Sequence, residues 1–210
     1  MSASTKAGLS RDIIAGAALD ITDDGGLDGL SMRKLGNQLG VEAMSLYHYV
    51  ANKDDLLDAV LDRLYAEIEL PVDVPDEQWE TAIRLGLQSF HDVLVSHEAA
   101  LSLFSGRPAK SKDAFAVLMW AHNRFLLVGL DAVRAQQALY FAVSFVMGHV
   151  ASELGTMALI RNEAGFDSDN VDDPEVAEFI RQTQHLTGAD MFSAGLDAVV
   201  AGLRSAYNLP

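Results

Sequence analysis

The sequence predicts an all-α fold, on three observations. Apolar residues recur at three- and four-residue spacing along nearly the whole chain, proline is rare at 5 of 210 residues, and no alternating run bounded by hairpin signals stands out. No internal repeat is visible.

A first helix opens at Ser10, whose hydroxyl suits an N-cap, and places Ile13, Ile14, Ala17, Ala18 and Ile21 inward. It ends at Gly25-Gly26, where glycine accepts a left-handed cap. A second helix begins at Ser31, carries Leu35 and Leu39 on one face, and is stopped by Gly40. Glu42 to Tyr49 reads as a short third helix. Asn52 caps a fourth, with Asp54 and Asp55 in the first turn, where the helix dipole favours negative charge, and Leu56, Leu57, Val60, Leu61 and Leu64 along its buried side. The pattern breaks between Pro71 and Pro75, which marks a joint between a small N-terminal module and a larger body. The body reads as helices near 77–96, 98–104, 111–128, 131–162 and 188–207. The Asp-rich stretch from Ala164 to Glu178 is expected to be a mobile loop. Asp167, Asp169, Asp173 and Glu178 fall at calcium-loop spacing, but Val171 takes a ligand position and Asp172 stands where the turn requires glycine, so a solvated acidic loop is the expectation.

Half of the residues are apolar, enough for the core of one or two domains. The absence of cysteine excludes disulfides, thiolate metal sites and cysteine nucleophiles. Met1 to Arg11 has no apolar region of signal-peptide type, and no uninterrupted apolar run reaches the roughly 18 residues of a membrane span. The expectation is a soluble cytoplasmic protein with no membrane partner. A net charge of -15 taken alone argues against nucleic acid, because phosphate affinity comes from clustered Lys and Arg. The distribution of charge reverses that inference. Residues 1–53 hold 5 basic side chains (Lys6, Arg11, Arg33, Lys34 and Lys53) against 6 acidic ones, a net of -1, which leaves -14 for residues 54–210. Cations concentrated in a nearly neutral segment, on a body that repels the duplex, predict modest nonspecific affinity and a shallow salt dependence.

Leu30 to Lys53 has the layout of a helix-turn-helix: a short helix, a glycine at the turn, and a second short helix with polar and aromatic residues on its outer side. Those are dimensions that a DNA major groove admits. Leu35, Leu39, Val41 and Leu46 are expected to hold the two helices together, leaving Ala43, Met44, Ser45, Tyr47, His48 and Tyr49 facing outward in varying degrees. Tyr47 and Tyr49 also have a second reading, as packing residues of a small bundle, and for Tyr49 the two readings stand level.

The run Gly29-Leu30-Ser31-Met32-Arg33-Lys34-Leu35, then Leu39-Gly40-Val41, Ser45-Leu46-Tyr47-His48-Tyr49-Val50 and Asn52-Lys53-Asp54-Asp55-Leu56-Leu57, resembles the DNA-binding head of the TetR family of repressors. A composite signature of this length is far more specific than a lone glycine motif. The resemblance implies that Ser31, Met32 and Arg33, then Ala43, Ser45, Tyr47, His48 and Tyr49, and finally Lys53 occupy DNA-contact positions. By their chemistry, Arg33, Tyr47 and Lys53 suit phosphates, with Arg33 also able to address a guanine edge, while Ala43, Met44, Ser45 and His48 suit base edges and thymine methyls. With few strong hydrogen-bonding side chains on the recognition helix, DNA shape is expected to carry much of the specificity. The implied organisation is an N-terminal three-helix helix-turn-helix DNA-binding domain over residues 1–53 and a connecting helix over 54–70. An α-helical ligand-binding and dimerisation domain follows over 71–210.

Trp79, Ser89-Phe90, Gly106-Arg107-Pro108 and Gly195-Leu196 resemble the tetracycline-repressor branch, in which the last two long helices form a four-helix dimer bundle and the body encloses a ligand pocket. Ala138 to Ala151 is apolar all the way round, so it reads as a core helix covered on every side, with Ala142 and Gly148 meeting a partner subunit beside Leu196, Val199, Val200 and Leu203. The stripes Trp79, Ile83, Leu87, Phe90, Leu94 and Phe115, Leu118, Met119, His122, Phe125 are expected to face each other. The expected ligand-site residues are Leu87, Phe90, Phe104, Met119, His122, Phe125 and His149. Gln88, His91, Asn123 and Glu153 are further polar candidates, with His91 expected as a satisfied core side chain. His149 and Glu153, at i and i+4, are either half of a metal site or a hydrogen-bonded pair; with no third ligand identifiable in the sequence, a structural pair and no metal are the expectation.

That branch places a metal-ligating histidine just before the Gly-Arg-Pro turn, but the matching position here is Phe104 or Leu103, and the branch's ligand-anchoring asparagine counts to Gly86. The expected effector is therefore a largely apolar small molecule rather than a metal-tetracycline chelate. The expected partners are a palindromic double-stranded DNA operator, that effector and a second copy of the chain. No cofactor is expected. The alternative is an all-α small-molecule-binding protein or enzyme without DNA binding, but there is no phosphate-binding glycine loop, nucleophile elbow or strong metal cluster to support catalysis.

Overall fold

The structure, a computed structural model, describes residues 8–98, 101–161, 173–183 and 187–210. Among the described residues it holds ten α-helices and no strand: α1 Arg11–Gly25, α2 Met32–Leu39, α3 Ala43–Leu46, α4 Lys53–Ala66, α5 Trp79–Ser96, α6 Leu101–Gly106, α7 Lys112–Leu127, α8 Ala132–Arg161, α9 Pro174–Thr183 and α10 Gly188–Tyr207. They gather into two compact units, one of residues through Leu70 with Asp92–Trp120, the other of Pro71–His91 with Ala121–Pro210.

In the first unit the predicted caps all form. Ser10 Oγ accepts from the Ile13 N–H at 3.2 Å, Ser31 Oγ from the Lys34 N–H at 3.2 Å, and Asn52 Oδ1 from the Asp55 N–H at 2.9 Å. α1 packs on α4 and α2 through Ile14, Ala17, Ala18 and Ile21, a stripe at i, i+3, i+4 and i+7. Ile13, expected inward, sits one position off that stripe and is exposed. On α4, Leu56, Val60, Leu61 and Leu64 are buried and Leu57 is half-buried. α6 packs on α4, with the rings of Tyr65 and Phe104 meeting edge-on at 5.1 Å. Arg107 then fastens the turn after α6 to α4, through Asp58 at 2.7 Å and Asp54 at 2.6 Å.

In the second unit α8 lies against α10, and the buried residues are Ala135, Ala138, Leu139, Ala142, Val146 and Val150 of one and Phe192, Leu196, Val199, Val200 and Leu203 of the other. α10 opens on a capping box of Thr187 and Asp190. Trp79 is buried beside Phe125 at 6.3 Å, and its indole N–H donates to the Pro210 carbonyl at 3.4 Å.

Three expectations need correction. The third helix is one turn, Ala43–Leu46, followed by a turn rather than a helix to Tyr49. The acidic loop gives way to helix α9 at Pro174. Proline suits the first helical position, and Asp173 Oδ1 accepts from the Glu175 N–H at 2.9 Å as a cap. Asp167, Asp169, Val171 and Asp172 lie outside the described residues, and Glu178 is paired with Arg181 at 2.8 Å. The apolar run Ala138 to Ala151 is part of a 30-residue helix, and of the residues expected to meet a partner, Ala142, Leu196, Val199, Val200 and Leu203 are buried within the chain itself, while Tyr140 and Phe141 are exposed. By length and composition Ala132–Gly155 is also long and apolar enough to cross a membrane.

Candidate functional site

The helix-turn-helix is built by two glycines and two leucines. Leu35 and Leu46 are fully buried between the helices, while Leu39 and Val41 are half-buried. Gly40 ends α2 at φ 67°, the left-handed conformation that favours glycine, and the Val41 N–H then donates to the Gly36 carbonyl at 2.9 Å. Gly36 is where α2 and the start of α3 touch. A Cβ there would lie 2.8 Å from the Val41 carbonyl oxygen and 3.1 Å from the Ala43 nitrogen. Gln38 ties α2 back to α1, its amide donating to Asp20 and to the Ala17 carbonyl, each at 3.4 Å.

This framework presents most of the predicted contact residues to solvent. Ser31, Arg33, Met44, Tyr47, His48, Tyr49 and Lys53 are exposed, Met44 at 72%, and Met32, Ala43 and Ser45 are half-buried. Tyr47 and Tyr49, at 43% and 41%, are not core residues. Arg33, Gly36, Asn37, Gly40, Val41, Glu42 and Ala43 line an open concavity across the turn.

The cations of this unit divide into two kinds, a division that the sequence does not reveal. Arg11 is held by Asp55 at 2.7 Å and reaches the Tyr49 carbonyl at 3.3 Å. Arg63 is held by Asp12 at 3.1 Å and by Glu67 at 3.2 Å, and Lys110 joins Arg107 on Asp58. Hydrogen bonds from Arg11 and from the Ala51 N–H keep the Asp55 carboxyl below its ordinary range. At Asp58 burial pushes the pKa up, but hydrogen bonds from Lys110 and Arg107 outweigh it and the net direction is down. Arg33, Lys34 and Lys53, by contrast, make no ion pair with any described residue, so their charge is available to a phosphate. His97 bridges the unit's acidic groups, with Nδ1 2.8 Å from Asp23 and Nε2 2.9 Å from Glu67.

The predicted ligand residues fall in both units. Phe104, packed on Tyr65, and the exposed Met119 belong to the first. Leu87, Phe90 and Phe125 are buried in the second, where His122 has a buried Nδ1 with no hydrogen-bond partner and His149 is half-buried. His91, expected as a core side chain, is buried, and it meets His149 and Glu153, 62 residues away from Glu153 in sequence. No local pattern announces that meeting, because it depends on how α5 packs on α8.

Comparisons with known proteins place both halves of the chain. The description "Bacterial regulatory proteins, tetR family" matches residues 14–60, and "Tetracyclin repressor-like, C-terminal domain" matches residues 70–207. An HTH-type transcriptional regulator of Saccharopolyspora erythraea is 34% identical over 149 residues, 71% of this chain, and the match spans 63% of that relative's length. The class D tetracycline repressor protein of Escherichia coli is 28% identical over 92% of this chain and 88% of its own. The crystal structure of the TetR family protein ActR of Streptomyces coelicolor in complex with actinorhodin superposes with a TM-score of 0.81 at 26% identity, covering 95% of this chain and 97% of that one.

Proposed function

The chain belongs to the TetR family of bacterial regulatory proteins, and from that premise we propose that it is a homodimeric, ligand-responsive repressor that grips a palindromic operator and is released by a largely apolar small molecule. As a member of that family it is a DNA-binding transcriptional regulator and not an enzyme. The observation that carries the proposal is the sorting of cations. Arg33, Lys34 and Lys53 stay unpaired beside the exposed Met44, Tyr47 and His48, while the unit's remaining described arginines are tied to carboxylates.

In this reading residues 1–53 form the head, 54–70 the connecting helix and 71–210 the body. Ser31, Arg33, Tyr47, Tyr49 and Lys53 fix the head on the backbone, and Met32, Ala43, Met44, Ser45 and His48 meet base edges. Tyr140 and Phe141 of α8 and Met191 of α10 are exposed apolar side chains that a second copy would cover. A lipid bilayer suits α8 less well, because Arg134, His149 and Glu153 interrupt it within Ala132–Gly155. Two heads on one two-fold axis then read half-sites one helical turn apart.

Leu87, Phe90, His122, Phe125 and His149 of the second unit are the proposed effector contacts, and the ActR complex with actinorhodin supports a small-molecule effector. Phe104 cannot ligate a metal, and Gly86 cannot anchor a polar effector through a side chain. Release follows if the effector prefers the dimer whose heads no longer match the half-site spacing.

A gel shift with the DNA flanking its own gene tests the regulatory reading. Sequence-selective, salt-sensitive binding at nanomolar protein is expected, and its absence overturns the proposal. Calorimetry tests the effector class, where magnesium-dependent tetracycline binding would contradict an apolar ligand.

A further inference from the structure

We propose that His91, His149 and Glu153 bind one divalent transition-metal ion of the zinc class per chain. The proposal stands on the second unit alone and does not depend on the regulatory reading.

His91 lies on α5, and His149 and Glu153 lie one turn apart on α8. One ligand atom from each lies within 4.8 Å of the other two. His91 Nε2 is 3.1 Å and His149 Nε2 is 3.5 Å from the same oxygen, Glu153 Oε2. Four-coordinate zinc with bonds of about 2.0–2.1 Å holds neighbouring donors roughly 3.3 Å apart, so both histidine nitrogens already stand at a shared-ion distance from the Glu153 oxygen, and their own separation, within 4.8 Å, is short enough for one ion to draw them together.

Burial and hydrogen bonding point the same way. The three side chains are only 9%, 13% and 10% exposed, and a carboxylate so placed requires a positive partner. Although His149 Nε2 is buried at 3.5 Å from that carboxylate, it makes no hydrogen bond. A buried ring nitrogen that close to a carboxylate oxygen without a hydrogen bond between them is a donor pair that a cation placed between them satisfies. The site is also fixed in shape. The His91 ring stacks on Phe192 at 4.0 Å, and Phe145, stacked on Phe192 at 5.7 Å, lies 6.0 Å from the His149 ring. Gly188 opens α10 beside the Glu153 carboxylate, and any larger side chain there would overlap it.

Two imidazoles and one carboxylate select zinc and its neighbours over calcium or magnesium, which require more oxygen ligands. Three protein ligands leave the fourth position open. The site also differs from the Phe104 position, where the tetracycline-repressor branch carries its metal-ligating histidine.

The test is a titration of chelator-treated, full-length protein with zinc by calorimetry, and with cobalt by visible absorption, where four-coordinate cobalt gives intense d–d bands. One ion per chain is expected, with affinity falling as pH drops and the histidines protonate. His91→Ala, His149→Ala and the isosteric Glu153→Gln are each expected to weaken binding by about 100-fold, with circular dichroism confirming the fold. His97→Gln removes the other described histidine flanked by carboxylates and is expected to leave the stoichiometry unchanged. The wild-type titration decides independently of the variants: no single equivalent bound more tightly than about 100 μM overturns the proposal. Unchanged affinity in a folded His149→Ala, or loss of the cobalt bands in His97→Gln, overturns it equally.

Discussion

α3 and α8 expose large apolar side chains for opposite structural reasons. α3 is a four-residue helix held by a single fully buried side chain, Leu46; Ala43 and Ser45 are half-buried, and Met44 is presented outward. α8 runs for 30 residues and buries a continuous stripe from Ala135 to Val150, yet it still exposes Tyr140 at 73% and Phe141 at 54%. In the proposed reading the short element with one anchor is a display, whose exposed groups meet a polar groove, and the long element with spare apolar surface is half of an interface. Exposure alone does not separate the two; the length of the element and the charge beside it do.

The largest test of that contrast sets an anchor against an interface residue. Leu46→Ala is expected to cost about 2–5 kcal/mol in urea unfolding, since it empties the only fully buried position of α3. Tyr140→Ala is expected to cost less than about 0.5 kcal/mol in the monomer while weakening self-association in sedimentation velocity. A small loss at Leu46, or unchanged association at Tyr140, would break the comparison. Next come two glycines. Gly36→Ala pushes a methyl group against the Val41 carbonyl and is expected to destabilise by about 1–3 kcal/mol, whereas Gly16→Ala on α1, with nothing within 4 Å, is expected to stabilise by about 0.5–1 kcal/mol. Thermal melts of the two variants read the sign directly.

The cations sharpen the display side. Arg33→Ala and Lys53→Ala are each expected to lower the salt slope of operator binding by about 2, one phosphate contact from each head of the proposed dimer, whereas Arg11→Met, which removes an arginine already bound to Asp55, leaves that slope unchanged. The smallest effect concerns acid. Asp55 has its pKa depressed in the fold, so its contribution is complete above the ordinary carboxylate value and is lost as pH falls through the depressed one. Melting temperatures of wild type and Arg11→Met are therefore expected to differ at neutral pH and to converge once the pH has fallen through the depressed carboxyl range, by an amount worth at most about 1 kcal/mol for so exposed a pair.

What could be read from the sequence was local. The caps at Ser10, Ser31 and Asn52, the stop at Gly40 and the buried faces of α1 and α4 each depend on residues within a few positions of one another, and each takes the form expected except that Ile13 is exposed and Leu57 half-buried. Long-range pairing was hidden. Arg11 and Arg33 look alike in the sequence, and only the packing of α1 on α4 commits one to Asp55 and leaves the other free. His91 meets Glu153 by the same kind of accident of packing. α9 was missed because its aspartates suggested a solvated loop, when Asp173 in fact caps a helix that proline begins. Nothing in the sequence neighbours of Gly36 announces the approach of α3 to it.

That approach has a consequence for anyone wishing to change the operator. Gly36, Gly40, Leu35 and Leu46 fix the scaffold, while Met44, Tyr47 and His48 stand clear of it. In the proposed reading, a library randomised at Met44 and His48, the exposed positions assigned to base edges, samples new base preferences without disturbing the fold, so the recognition surface and the structural frame are written in separate residues.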